Sequence, residues 1–174
     1  MVDDNLCAVL SVKNFYPGKG VPTTKTELRR IKDGVKISKR WKTTDVVERA
    51  ILDEATHDYL YELEDGYVFM HSENYDQVVV PKDIIGDQSI YLQPEMKVQV
   101  SLFEGNPISV VLPQKVSLTV TDTEPVTKRQ TATASYKPAT LSNGVRTSVP
   151  SHVVIGTEIM INTEDGSYDG VAKA

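Results

Sequence analysis

Apolar and polar residues alternate with a period of two along most of this chain, and that pattern limits what it can build. Val9-Leu10-Ser11-Val12, Val35-Lys36-Ile37, Tyr59-Leu60-Tyr61, Tyr67-Val68-Phe69-Met70, Lys97-Val98-Gln99-Val100-Ser101-Leu102 and Lys115-Val116-Ser117-Leu118-Thr119-Val120 each read as a short strand. In extended backbone, successive side chains point to opposite faces, so alternation marks a strand with one buried side. No segment sustains an apolar stripe at helical spacing over three turns. The one helix signal is brief, Pro81-Lys82-Asp83-Ile84-Ile85 before Gly86, with Pro81 placed at the first helical position. Asp33-Gly34, Asp65-Gly66, Asn143-Gly144 and Asp165-Gly166 predict tight turns, where positive φ comes at little cost. Many short strands with regular turns predict an all-β chain of small barrels or sandwiches.

Two shifts in composition divide the 174 residues. A basic stretch ends at Lys42-Thr43-Thr44 and gives way to acidic, aromatic-rich sequence near Ala50, and a second break falls at Leu112-Pro113-Gln114. The expected domains are therefore 1–49, 50–113 and 114–174, each thin in core for its size. A hydrophobic fraction of 40% and a charged fraction of 25% are those of ordinary folded protein. No run approaches the roughly 18 apolar residues that span a bilayer. The opening Met1-Val2-Asp3-Asp4-Asn5 lacks the basic and apolar regions of a signal peptide. A single cysteine, Cys7, excludes an internal disulfide and fits a reducing compartment, so a cytoplasmic, membrane-free protein is expected.

The net charge of −5 conceals a strong segregation. Between Lys13 and Lys42 stand ten Lys or Arg against two acids, Glu27 and Asp33. A second, acid-free run from Val126 to Ser151 holds Lys128, Arg129, Lys137 and Arg146. Segregation of this kind suits one end for phosphate, with an acidic body that resists non-specific association. The plain alternative is a solvated charged surface.

Within the first basic run, Tyr16-Pro17-Gly18-Lys19-Gly20-Val21-Pro22 lies between two strand-like segments. Pro17 presets φ, and Gly18 and Gly20 permit turns that other residues resist, so Lys19 is expected to project alone from a narrow tip. A bare Gly-Lys-Gly would also describe an ordinary hairpin lysine. A nucleotide-binding P-loop is excluded: Lys13 stands where that motif needs its first glycine, Gly20 replaces the Ser or Thr after the lysine, and strand-like sequence replaces the helix. Behind the loop, Lys25, Arg29, Arg30, Lys39 and Lys42 are candidate RNA contacts, together with Lys32, Lys36 and Arg40. Alternation puts Lys25, Glu27 and Arg29 on one face and Leu28 and Arg30 on the other.

The remaining chemistry-bearing residues point to no enzyme. His57, His71 and His152 have no Cys or Glu companions at metal-ligand spacing. Ser151-His152 offers no nucleophile arrangement. Cys7 sits in an apolar alternation, as a buried thiol would. Trp41 is expected to pack at a strand end rather than stack on a base.

Taken together, Pro17-Gly18-Lys19-Gly20, Leu28-Arg29-Arg30, Lys42-Thr43-Thr44-Asp45, Gly105-Asn106-Pro107-Ile108, Asp122-Thr123-Glu124-Pro125 and Lys137-Pro138-Ala139-Thr140-Leu141-Ser142-Asn143-Gly144, with Val149-Pro150 and Gly156, resemble the bacterial elongation factor P family. The likeness runs from about Asp4 to Lys173. It implies an SH3-like barrel carrying the Pro17–Gly20 loop, followed by two OB-fold barrels in an L-shaped arrangement. It implies a monomeric factor that binds the ribosome between the P and E sites and relieves stalling at consecutive prolines. The partners implied are the ribosome, the peptidyl-tRNA in the P site and the mRNA codon in the E site. No cofactor is implied. Lys19 matches a lysine that reaches the tRNA acceptor end and is often extended by a modifying enzyme, in many relatives with a β-lysyl group. Lys128, Arg129, Gln130, Thr131, Ala132, Lys137 and Tyr168 fall where relatives approach the exit-site codon or tRNA.

Three departures accompany the likeness. Relatives carry a further first strand in the leading barrel, so the barrel here is expected to lack it and to leave an edge unpaired. Arg129 replaces a family glycine, where it would either add a phosphate contact, the favoured expectation, or block close approach to the codon. Val171 stands where some members carry arginine. The competing reading is a stand-alone module for structured RNA, which would need the basic face but not a uniquely placed Lys19.

Overall fold

The structure is a computed structural model, and it describes residues 1–125 and 135–173. Strands dominate: β1 (Cys7–Phe15), β2 (Thr23–Arg30), β3 (Lys36–Lys42), β4 (Asp53–Glu62), β5 (Gly66–His71), β6 (Gln77–Pro81), β7 (Lys97–Phe103), β8 (Asn106–Val111), β9 (Lys115–Thr123), β10 (Tyr136–Leu141), β11 (Arg146–Pro150), β12 (Glu158–Asn162) and β13 (Tyr168–Val171). The all-β expectation is met. The short helix α1 spans Lys82–Ile85 and runs into a 3-10 turn at Gly86–Tyr91. Pro81 has φ −55 and ψ 146, so it precedes the helix instead of opening it. Among the described residues, no helix is long and apolar enough to cross a membrane.

By contacts the chain divides into two compact units. One comprises Met1–Asp53 with Phe103–Ile108, the other Glu54–Leu102 with Ser109–Ala174. The first contains a three-stranded antiparallel sheet, β1-β2-β3, with β1 on an edge. A bulge between Val9 and Ser11 shifts the β1–β2 register, and β1 exposes Val9, Val12 and Phe15. One face of this sheet opens on a cavity of about 640 Å³ whose lining includes Leu6, Cys7, Thr24, Leu28, Ile31 and Leu52.

The remaining strands form two five-stranded sheets, ordered β6-β5-β4-β7-β8 and β11-β10-β9-β12-β13. Numbered within each sheet along the chain, both run third, second, first, fourth, fifth. They share one buried core, to which the central sheet contributes Tyr59, Phe69, Val80, Val98 and Val100, and the C-terminal sheet Leu118, Val120, Leu141, Val149, Ile159 and Ile161. Side chain-to-backbone hydrogen bonds tie the two together. Gln93 Nε2 donates to Ser117 O at 2.9 Å, Asn143 Nδ2 to Ile90 O at 3.0 Å, and Gln88 Nε2 to Thr163 O at 3.3 Å.

Three of the four predicted turn dipeptides place glycine at positive φ: Gly34 (72), Gly144 (85) and Gly166 (73). Gly66 does not. It opens β5, and a Cβ there would lie 2.6 Å from Val80 O. Its role is to let β6 approach, a constraint that a turn dipeptide cannot announce.

Candidate functional site

The Pro17-Gly18-Lys19-Gly20 loop spans residues 16–22 between β1 and β2, which are the two arms of an antiparallel hairpin. At its base Asn14 pairs with Thr24, whose hydroxyl donates to Asn14 Oδ1 at 2.8 Å. Residues 16–21 are exposed throughout. Gly20 has φ 136, which a residue with a side chain rarely adopts, and a Cβ there would meet Pro17 Cγ at 3.4 Å. The loop thus folds back with the Pro17 ring beside Gly20. Gly18 is under no such constraint, because its φ is not positive and a Cβ would find nothing within 4 Å. Its contribution is limited to leaving the approach to Lys19 uncrowded. Lys19 makes no ion pair among the described residues.

Register then separates the cations behind the loop into two sets. Lys13, Lys25 and Arg40 lie opposite one another across the three strands, as do Ala8, Arg29 and Lys36, and Phe15, Thr23 and Lys42. Residues directly paired across antiparallel strands share a face. One face therefore carries Lys13, Lys25, Arg29, Lys36, Arg40 and Lys42, with Glu27 the one acid among the paired positions. None of these six cations is in an ion pair among the described residues. The guanidinium of Arg40 sits 6.0 Å over the Phe15 ring.

The opposite face holds Thr26, Leu28, Ile37, Lys39, Trp41 and Arg30. Here the two remaining predicted contacts are engaged. Lys39 Nζ lies 3.0 Å from both carboxylate oxygens of Asp3 and 4.6 Å from the Trp41 ring centroid. Arg30 Nη1 pairs with Asp33 Oδ2 at 2.7 Å, while its Nε is buried without a partner. The Asp33 carboxyl is held below its usual range, chiefly by the Val35 N–H and further by the Arg30 charge. Trp41 is half-buried, and its Nε1 donates to Thr26 Oγ1 at 2.7 Å. Lys25, Arg29 and Lys42 are thus brought together, Arg30 and Lys39 are set apart from them, and Lys13, Lys36 and Arg40 join the exposed set.

Of the contacts predicted towards the C-terminus, Lys137 and Tyr168 lie among the described residues. Lys137 is only 5% exposed, and its Nζ donates to Glu124 O at 2.6 Å. Its ammonium ties the end of β9 to the start of β10, so Lys137 is no surface contact. Tyr168 is half-buried and packs against the shared core. Lys128, Arg129, Gln130, Thr131 and Ala132 lie outside the described residues.

Comparison with known proteins covers almost the whole chain. Residues 1–47 match the family model described as "Elongation factor P (EF-P) KOW-like domain", residues 52–110 that of the "Elongation factor P (EF-P) OB domain", and residues 116–170 "Elongation factor P, C-terminal". The chain is 56% identical over 171 residues to an elongation factor P of Bradyrhizobium sp. strain BTAi1, covering 98% of this chain and 91% of the relative. It is 57% identical over 171 residues to that of Nitrobacter hamburgensis, with the same coverage. Among solved structures it resembles a eukaryotic translation initiation factor 5A from Methanococcus jannaschii, with a TM-score of 0.55 at 22% identity, covering 64% of this chain and 82% of that one. That likeness concerns the fold alone.

Proposed function

The chain belongs to the elongation factor P family, and from that membership we propose that it is a cytoplasmic translation factor that binds the ribosome between the P and E sites and relieves stalling at consecutive prolines. Lys19 carries the reading. It stands exposed at a loop tip, and a face bearing Lys13, Lys25, Arg29, Lys36, Arg40 and Lys42 belongs to the same hairpin and its neighbouring strand. In this reading the ammonium of Lys19, extended by a modification such as a β-lysyl group, fixes the acceptor end of the peptidyl-tRNA. Proline is a rigid, poor substrate, and holding the two reactants in register lowers the barrier without any acid or base on the factor. Lys25, Arg29 and Lys42 contact RNA phosphates, and Lys128, Arg129, Gln130, Thr131 and Ala132 meet the E-site codon. The factor works as a monomer with domains 1–49, 50–113 and 114–174.

The test is a reconstituted translation assay on a diprolyl template. Lys19→Ala buries nothing new and should leave the fold intact while abolishing stimulation of diprolyl synthesis. Lys19→Arg should fail as well, since a planar guanidinium does not accept a lysine-specific modification. Normal diprolyl synthesis with the alanine variant would remove Lys19 from the mechanism. Binding to structured RNA that survives in that case would favour a stand-alone RNA-binding module.

A further inference from the structure

Leu28 lies 2% exposed on the inner face of the three-stranded sheet, whereas Val9, directly opposite it in register, is 62% exposed. Val12 lies opposite the buried Thr26 and is 57% exposed. The bulge between Val9 and Ser11 brings both valines to this face although they stand three apart. Two apolar side chains on the buried side of a sheet are thus left uncovered at its β1 margin. Val9 also lines the cavity of about 640 Å³, together with Cys7, Leu28 and Trp41. That volume is one in which pockets hold ligands.

The backbone of that margin is free as well. Ahead of β1, Asp3 and Asp4 have φ 47 and 61, and Val2 and Asn5 exchange two backbone hydrogen bonds at 2.8 and 2.9 Å. Two successive positive-φ residues make a type I′ turn, the form that joins adjacent antiparallel strands. Asn5 Nδ2 donates to Asp3 O at 2.9 Å, and Lys39 holds the Asp3 carboxylate, so the turn is fixed. Past it, the outer edge of β1 from Cys7 to Phe15 has no partner among the described residues. A row of unpaired N–H and C=O groups is a template for another strand.

Charge on the other face selects the occupant. The outward positions of β1 include Ala8, Lys13 and Phe15, opposite Arg29, Lys25 and Thr23. Lys13, Lys25 and Arg29 make no ion pair among the described residues. A second copy pairing through β1 would set two such basic faces edge to edge, and like charges side by side repel. A strand with acids on its outward side meets the same face with opposite charge.

We propose that the β1 edge docks an extended protein segment that alternates apolar and acidic residues, with apolar side chains entering the cavity beside Val9 and acids lying beside Lys13. Main-chain hydrogen bonds supply the affinity and the alternate side chains the specificity, as in strand addition to other sheet edges. The site does not depend on Lys19.

The experiment uses the full chain and end-blocked peptides matching the nine residues of β1 in length, in which valine alternates with glutamate, glutamine or lysine. Binding is followed by the fluorescence of Trp41, the lone tryptophan, and by NMR shifts. The glutamate peptide should bind, with shifts concentrated on β1 and the Trp41 indole N–H. The glutamine peptide should bind about two- to fivefold more weakly, the range for exposed ion pairs, and the lysine peptide more weakly again. Lys13→Gln should narrow the gap between glutamate and glutamine. Val9→Ser, at an exposed position that the fold tolerates, should weaken all three by about tenfold. Successive N–H groups of a strand point to opposite edges. Of two glutamate peptides N-methylated on valine alone or on glutamate alone, one should therefore lose about tenfold and the other bind as before. Lys19→Ala should bind the peptides normally, so its failure in diprolyl synthesis and failure here are distinguishable. No binding by the parent, shifts mapping away from β1, equal affinity of the two N-methylated peptides or a tighter lysine peptide would each overturn the proposal. So would a concentration-dependent dimer that Val12→Lys dissolves, since a second copy would then cover the edge.

Discussion

The two faces of the three-stranded sheet carry the same residue types in alternate positions and put them to opposite uses. On one, Lys13, Lys25, Arg29, Lys36, Arg40 and Lys42 stand without ion pairs among the described residues. On the other, Lys39 and Arg30 are held by Asp3 and Asp33, Trp41 donates to Thr26, and Leu28 lies 2% exposed. A basic stretch is therefore not a basic surface. Alternation halves it, and the half facing the interior recruits acids and a ring to satisfy its charge. The cations available to a phosphate are those whose strand position gives them no partner.

The largest expected difference between the faces is in stability. Leu28→Ala should cost about 2 to 5 kcal/mol, the range for a buried leucine, with the cavity of about 640 Å³ beside it leaving little scope for new packing. Arg29→Ala, next along the same strand but on the exposed face, should stay within about 0.5 kcal/mol. Denaturant unfolding measures both, and comparable losses would show that the exposed face carries packing as well.

Next in size is an electrostatic contrast. Lys25→Glu with Arg40→Glu, a pair in one cross-strand row, should flatten the salt dependence of tRNA binding. Each lost phosphate contact changes the log-log slope by roughly 0.7 to 0.9. Lys39→Gln should leave the slope alone, since its ammonium already sits on the Asp3 carboxylate. Equal slopes for the two variants would mean that the register-defined face does not govern binding.

Much of this is legible in the sequence, and the remainder is hidden for identifiable reasons. Alternation correctly separated Lys25, Glu27 and Arg29 from Leu28 and Arg30, because β2 is regular through that stretch. Lys39 could not be assigned, since its partner Asp3 lies 36 residues away in sequence. Lys137 read as one more cation in an acid-free run, whereas its ammonium is satisfied by a backbone carbonyl, which no charge count contains. The strands β8, β10 and β11 include Pro107, Pro138 and Pro150, residues that weaken a strand signal, although β8 and β11 lie at sheet edges, where proline is tolerated.

The smallest effect expected concerns Arg30, the cation whose membership of the interior set depends on one neighbour. Asp33 is held below the usual carboxylate range first by the Val35 N–H and then by Arg30. A carboxyl depressed in the folded state contributes stability that is present above its unfolded value and lost as pH falls through its folded value. At neutral pH the pair is intact, and Arg30→Gln should leave the tRNA salt slope unchanged. In acid, protonation of Asp33 frees the Arg30 guanidinium. An NMR titration of Asp33 tests this order of causes. In Arg30→Gln the carboxyl should move part of the way back towards its ordinary value and stay below it, because the Val35 N–H still donates to Asp33 Oδ1. A complete return would make Arg30, not the turn, the group that holds Asp33 ionised. The boundary between the two faces would then rest on that ion pair instead of on strand register.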